Sequence, residues 1–193
     1  DGTLAREHGE HARHLLAAGV DAILVETINT IREAVAAVRA ARECQAPVLV
    51  SFVVGRDAHL LSGEPLDEAI DAVARLGPLA VGVNCLPPNA VLPCLGFLQR
   101  ADLPFLVYAN LIGSSAQRSP AEYARCGRSW IEAGARIVGG CCGTRPEHIR
   151  ALSEIRALSG VVDANCVTGT GSAAHELPQH ERAERGGSTK SRS

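Results

Sequence analysis

Five short apolar runs, each followed by an amphipathic stretch, decide most of what this chain can fold into. The runs are AILVET (22–27), PVLVSFVV (47–54), LAVGVNC (79–85), PFLVYAN (104–110) and RIVGGCC (136–142). They are nearly continuous in apolar residues, as strands buried on both faces are. Helical periodicity marks the segments 30–44, 65–76, 89–101, 119–134 and 146–158, and a further helix over about 4–18 precedes the first strand. Strands that alternate with helices pair in parallel through right-handed crossovers. Such units build either an open, doubly wound sheet or part of a (β/α)8 barrel, and periodicity alone does not choose. Ser119-Pro120-Ala121-Glu122 and Thr144-Arg145-Pro146-Glu147 read as capping boxes with Pro in the first helical turn.

Composition narrows the class. Hydrophobic residues make up 46% and charged residues 21%, in the range of a globular domain with a core. A net charge of -2 gives no electrostatic footprint for nucleic acid or an anionic membrane surface. No apolar run approaches the roughly 18 residues that span a bilayer. Seven cysteines, an odd number at irregular spacing, do not form a disulfide framework. The chain therefore reads as cytoplasmic with reduced thiols. Residues 1–160 read as one folded unit and the polar stretch 161–193 as a disordered tail. The chain opens on Asp1-Gly2 and contains no Met, which reads as part of a longer protein.

In either parallel architecture, functional groups gather at the C-terminal ends of strands. Glu26 ends the first apolar run, Cys85 the third, and Cys141-Cys142 the fifth. Alternate strands of a barrel contribute to one layer, so these side chains converge there, whereas an open sheet spreads them along an edge. This favours the barrel. Three thiolates at one mouth suit Zn²⁺ with a fourth position open. Adjacent cysteines on a straight strand point to opposite faces. Gly139, Gly140 and Gly143 are expected to let the backbone bend so that both sulfurs turn inward. Cys44, Cys94, Cys126 and Cys166 read as small buried hydrophobes. His8, His11 and His14 read as a solvated helix face, and Tyr108 as part of the wall.

GVNCLPP (82–88) followed by ARIVGGCCGTRPEHIRAL (135–152), with DAILVETINTIREA (21–34) and SGEPL (62–66) in the same order, resembles the zinc-dependent homocysteine S-methyltransferase family over about residues 5–158. The resemblance implies a (β/α)8 TIM barrel of which strands 4–8 are present here. It implies zinc held by Cys85, Cys141 and Cys142, and Glu26 on the amino group of homocysteine. It implies transfer of a methyl group from an activated donor to the homocysteine thiolate, giving methionine. With one Trp, two Tyr and three Phe the chain is poor in material for an aromatic cage, so S-methylmethionine or S-adenosylmethionine is favoured over a quaternary ammonium such as betaine. The chain departs from the family in lacking three β/α units before Glu26, and in carrying Ala109-Asn110 where the family often has Pro-Asn. The competing expectation is a truncated, inactive zinc-binding fragment or interaction subunit. Either reading leaves two open sheet edges for self-association and expects weak metal binding without appreciable turnover from this chain alone.

Overall fold

A computed structural model describes residues 2–55, 57–113 and 116–155. The chain runs α1 (Gly2–Ala17), β1 (Ile23–Ile28), α2 (Ile31–Glu43), β2 (Val48–Phe52), α3 (Leu66–Ala74), β3 (Ala80–Asn84), a 3-10 turn (Pro88–Ala90), α4 (Leu92–Arg100), β4 (Phe105–Ala109), α5 (Pro120–Glu132), β5 (Ile137–Gly140) and α6 (Pro146–Ser153). All five strands are parallel, in the order β1-β2-β3-β4-β5. Every crossover therefore steps the same way. Right-handed crossovers then put all the helices on one face of the sheet, where α1 meets α2, α2 meets α3, α3 meets α4 and α5 meets α6. A doubly wound sheet would reverse direction midway, and this one does not.

Side chains on a strand alternate between faces. One set, including Val48, Val50, Phe52, Val81, Val83, Phe105 and Val107, meets the helices in a continuous core with Val38, Ile70, Leu98, Tyr123 and Trp130. The other set faces away from the helices. It carries Leu24, Leu49, Leu106 and Ile137, and nearer the strand ends Glu26, Ser51, Asn84 and Tyr108. Leu106 is only 2% exposed although no helix covers it, whereas Leu24 and Ile137 on the outer strands are 42% and 44% exposed. The sheet curls over its own second face. Tyr108 on β4 hydrogen-bonds Glu26 on β1 at 3.1 Å, across three strand spacings that a flat sheet would make about 14 Å. Gly82 makes room for this: a Cβ there would stand 2.6 Å from Leu106 Cγ.

Most element boundaries agree with the sequence pattern, and the exceptions have local causes. The expected helix over 89–101 breaks in two because Pro93 fits the first turn of a new helix and not the middle of an old one. The fifth strand stops at Gly140, so Cys141 and Cys142 lie just beyond it. Ser119 and Glu122 form the expected capping box, with Glu122 N donating to Ser119 Oγ at 3.3 Å and Ser119 N donating to Glu122 Oε2 at 2.7 Å. The Thr144 box does not form. Helix α6 begins at Pro146, and the Thr144 hydroxyl donates instead to the Cys141 carbonyl at 2.7 Å. That helix ends at Ser153, short of the expected 158. The expected tail, 161–193, lies outside the described residues, as does Cys166.

Cys94 is fully buried on α4, and burial pushes its thiol up to about 12 from an ordinary 9.0. The unfolded chain ionises this thiol first. Its contribution to stability is thus intact below about pH 9 and is lost as pH rises toward the folded value. Between about pH 9 and 11, the urea midpoint of Cys94→Ala should fall less steeply than that of the parent; equal slopes would show that Cys94 ionises as freely folded as unfolded.

Candidate metal centre

The last residues of β3 and β5 hand over to short turns held by the end of β4. Cys85 follows β3 in the left-handed region, at φ 57°, which costs a non-glycine residue energy and has to be held in place. Two bonds hold it. Its N–H donates to the Tyr108 carbonyl at 3.1 Å, and its carbonyl accepts from Asn110 Nδ2 at 2.8 Å. On the other side, Cys141 N–H donates to the Ala109 carbonyl at 3.0 Å, and Leu111 N–H donates to the Cys142 carbonyl at 2.7 Å. Residues 108–111 thus grip both cysteine-bearing segments. Asn110 is 3% exposed, and its Oδ1 meets no hydrogen-bond partner among the described residues.

The three sulfurs converge. Cys85 Sγ lies 3.6 Å from Cys142 Sγ, and Cys141 Sγ lies 3.9 Å from Cys142 Sγ. All three lie within 4.8 Å of one another, the single group of three or more potential metal-ligand side chains found among the described residues. Two zinc–sulfur bonds of about 2.3 Å at a tetrahedral angle separate their sulfurs by about 3.8 Å, so the spacing fits that ion. None of the three is in a disulfide. The Cys85 thiol is pushed up to about 12, first by burial and then by the neighbouring sulfurs of Cys141 and Cys142. By itself Cys85 holds its proton; a bound divalent cation reverses that.

The glycines act differently from the expectation that all three bend the chain. Only Gly143 of the three is left-handed, at φ +78°, and a Cβ there would stand 2.8 Å from the Leu111 carbonyl carbon. Gly140 has an ordinary backbone and supplies space: a Cβ would stand 2.8 Å from Thr144 Cβ. Thr144 can therefore fold back on the Cys141 carbonyl and close the turn.

Glu26 does not stand alone at the end of β1. Its Oε2 accepts from the Tyr108 hydroxyl at 3.1 Å. Tyr108 also touches Ser51 Oγ, and Ser51 Oγ lies 2.8 Å from Asn84 Oδ1. Asn84 in turn accepts from Thr27 N–H at 3.1 Å and donates to Thr27 Oγ1 at 2.7 Å. Thr27 is left-handed at φ 59°, where the register of β1 shifts. Burial holds the Tyr108 phenol well above its usual range, and the charges of Glu26 and Cys141 add to this. Tyr108 therefore joins the Glu26 carboxylate to Ser51, as a hydrogen-bonding part of the wall. Ser51 and Asn84 are also missing from the sequence reading. The available signal was polar residues at matched depth in otherwise apolar runs.

The other candidates stay apart. His8 pairs with Glu33 at 3.5 Å on the groove between α1, α2 and β1, and His8, His11 and His14 form no metal-holding group among the described residues. Cys94 and Cys126 are buried, as expected of structural cysteines, and Cys44 is half-buried.

Fold and site together define a class: a curled, singly wound parallel α/β sheet with a three-thiol centre at the C-terminal ends of its strands. A family model of homocysteine S-methyltransferase matches residues 2–156, and the chain belongs to that family. It is 31% identical over 163 residues to homocysteine S-methyltransferase YbgG of Bacillus subtilis, covering 76% of this chain and 50% of that one. It is 32% identical over 165 residues to homocysteine S-methyltransferase 3 of Zea mays, covering 75% and 47%. It is 34% identical over 160 residues to methionine synthase of Mycobacterium tuberculosis, covering 75% and 13%. The crystal structure of the homocysteine methyltransferase MmuM from Escherichia coli, in its apo form, superposes with a TM-score of 0.67 at 30% identity, covering 79% of this chain and 56% of that one. The chain spans about half the length of the homocysteine S-methyltransferases it matches.

Gly143→Ala should strain the turn, lower stability by about 1–3 kcal/mol and weaken metal binding at the cysteines. Urea unfolding and chelator competition for zinc measure the two effects. A variant with parent-like values in both would show that Gly143 is not needed for the turn.

Proposed function

We propose that this chain forms the homocysteine- and metal-binding part of a zinc-dependent S-methyltransferase. In this reading β1–β5 are the fourth to eighth strands of a (β/α)8 barrel. The sequential strand order, the curl and the exposed Leu24 and Ile137 at both edges of the inner face support it. The observation that carries the reading is the set of three sulfurs within 4.8 Å, at the end of the sheet that also presents Glu26.

Cys85, Cys141 and Cys142 would hold the zinc. When bound, the ion supplies a substrate thiol that is deprotonated and still nucleophilic at neutral pH. The chain's own residues do the rest. Residues 108–111 hold the two cysteine segments in register. Glu26 accepts the ammonium group of homocysteine in a charge-assisted hydrogen bond, which fixes the amino-acid end and leaves the thiol to reach the cysteines. The substrate thiolate then displaces a methyl group in line from an activated donor, and alignment supplies much of the rate. Trp130, Tyr123, Phe52 and Phe105 are buried in the core, leaving Tyr108 as the aromatic ring hydrogen-bonded at the site. That composition supports a sulfonium donor, S-methylmethionine or S-adenosylmethionine, over a quaternary ammonium, which needs several rings around it. Free thiols are consistent with a cytoplasmic setting, and no described helix is long and apolar enough to cross a membrane.

Titration of the zinc-loaded chain with homocysteine tests the reading. Glu26→Gln should keep its zinc and bind homocysteine about 10- to 100-fold more weakly, the range of a hydrogen bond to a charged group. Unchanged affinity would remove Glu26 from the substrate site, and no saturable binding by the parent chain would overturn the reading.

A further inference from the structure

The polar row beneath Glu26 contains a count that does not balance. Asn84 Oδ1, Ser51 Oγ, the Tyr108 hydroxyl and Glu26 Oε2 make three successive oxygen–oxygen contacts, and the two hydroxyls bring only two protons to them. Asn84 cannot supply a third. Its Oδ1 is fixed as an acceptor by Thr27 N–H, and its amide N–H is already given to Thr27 Oγ1. While Glu26 is a carboxylate, one contact in the row is therefore always without a proton. The arrangements that keep Tyr108 well bonded are two. Either Ser51 donates to Tyr108 and Tyr108 donates to Glu26, or Ser51 donates to Asn84, Tyr108 donates to Ser51 and Glu26 is left free. Turning two hydroxyls converts one into the other: the Tyr108–Glu26 hydrogen bond is given up, the Ser51–Asn84 bond is made, and no heavy atom has to move. Ser51 and Asn84 are fully buried, so water does not readily fill the gap.

We propose that Tyr108 is a positioning residue for substrate: it holds the Glu26 carboxylate in place, and on binding yields it to the substrate ammonium by turning its proton to Ser51. This rests on the reading that Glu26 binds the ammonium of homocysteine. A carboxylate at the surface end of β1 has several rotamers of similar energy, and a fixed donor removes the entropy cost of choosing one. A donor that could not leave would compete with the ammonium. Ser51 gives the phenol somewhere else to donate.

The test uses the zinc-loaded chain and two thiols. Homocysteine carries the ammonium; 4-mercaptobutanoate is the same molecule without it. Calorimetric titration gives the affinity of each, and zinc content is measured on every sample. Tyr108→Phe should bind homocysteine about tenfold more weakly, the value of one charge-assisted hydrogen bond network lost, with 4-mercaptobutanoate affinity and zinc content within about twofold of the parent. Ser51→Ala should do the same, because its phenol has Glu26 as its one remaining acceptor in the row. The double variant should be no worse than Tyr108→Phe, since Ser51 acts on Glu26 only through Tyr108. The proposal is overturned if Tyr108→Phe binds both thiols equally more weakly, which marks a support of the cysteine turn, whose Cys85 N–H rests on the Tyr108 carbonyl. It is also overturned if homocysteine affinity is unchanged, or if the two single effects add. A parent chain that binds the two thiols equally well would instead overturn the role of Glu26, and this proposal with it.

Discussion

A parallel sheet whose strands follow chain order has its helices on one side only, and its other side has to cover itself. Every later feature of this structure depends on that constraint. The inner face carries Leu24, Leu49, Leu106 and Ile137 and, further along each of β1 to β4, Glu26, Ser51, Asn84 and Tyr108. Curling buries Leu106 and brings side chains from strands that are not neighbours within hydrogen-bond reach. The Thr27–Asn84 pair joins β1 to β3 and the Glu26–Tyr108 pair joins β1 to β4. Buried polar groups that find partners hold a sheet at a definite curvature, and the same groups left unpaired would each cost about 1–3 kcal/mol. The polar row therefore ties the shape of the sheet to the geometry of its mouth.

The cysteine turn answers a narrower problem, which is how two adjacent residues can aim at one point. Once the strand has ended, alternation no longer applies. Gly140 provides space for Thr144, Thr144 closes on the Cys141 carbonyl, and Gly143 takes the left-handed conformation that brings the backbone against Leu111. On the facing strand, the left-handed Cys85 turns its sulfur toward Cys142. The strain at Cys85 is offset by bonds from β4, which lies between the two.

How much of this was legible beforehand follows from range. Parallel β/α order was readable because burial on both faces writes itself into consecutive apolar residues. Ser119 and Glu122 were readable because a capping box closes within four residues. Thr144 carries a similar local signal, but a carbonyl on the cysteine turn takes its hydroxyl, and local pattern does not report such competition. The convergence of Cys85 with Cys141 and Cys142 was readable from strand-end positions once a barrel was assumed. The bond between Tyr108 and Glu26 was not, because residues 82 apart meet only through the curl. Ser51 was hidden for the same reason: in a run such as PVLVSFVV, a serine is read as a tolerated small residue until its partner is known.

The central claim is that Cys85, Cys141 and Cys142 hold one zinc ion that receives the substrate thiol. Zinc K-edge X-ray absorption on the metal-loaded chain tests it most directly. The account predicts three sulfur neighbours at about 2.3 Å, rising to four when homocysteine is added. A zinc sphere dominated by nitrogen and oxygen, or a sulfur count that homocysteine leaves unchanged, would contradict it.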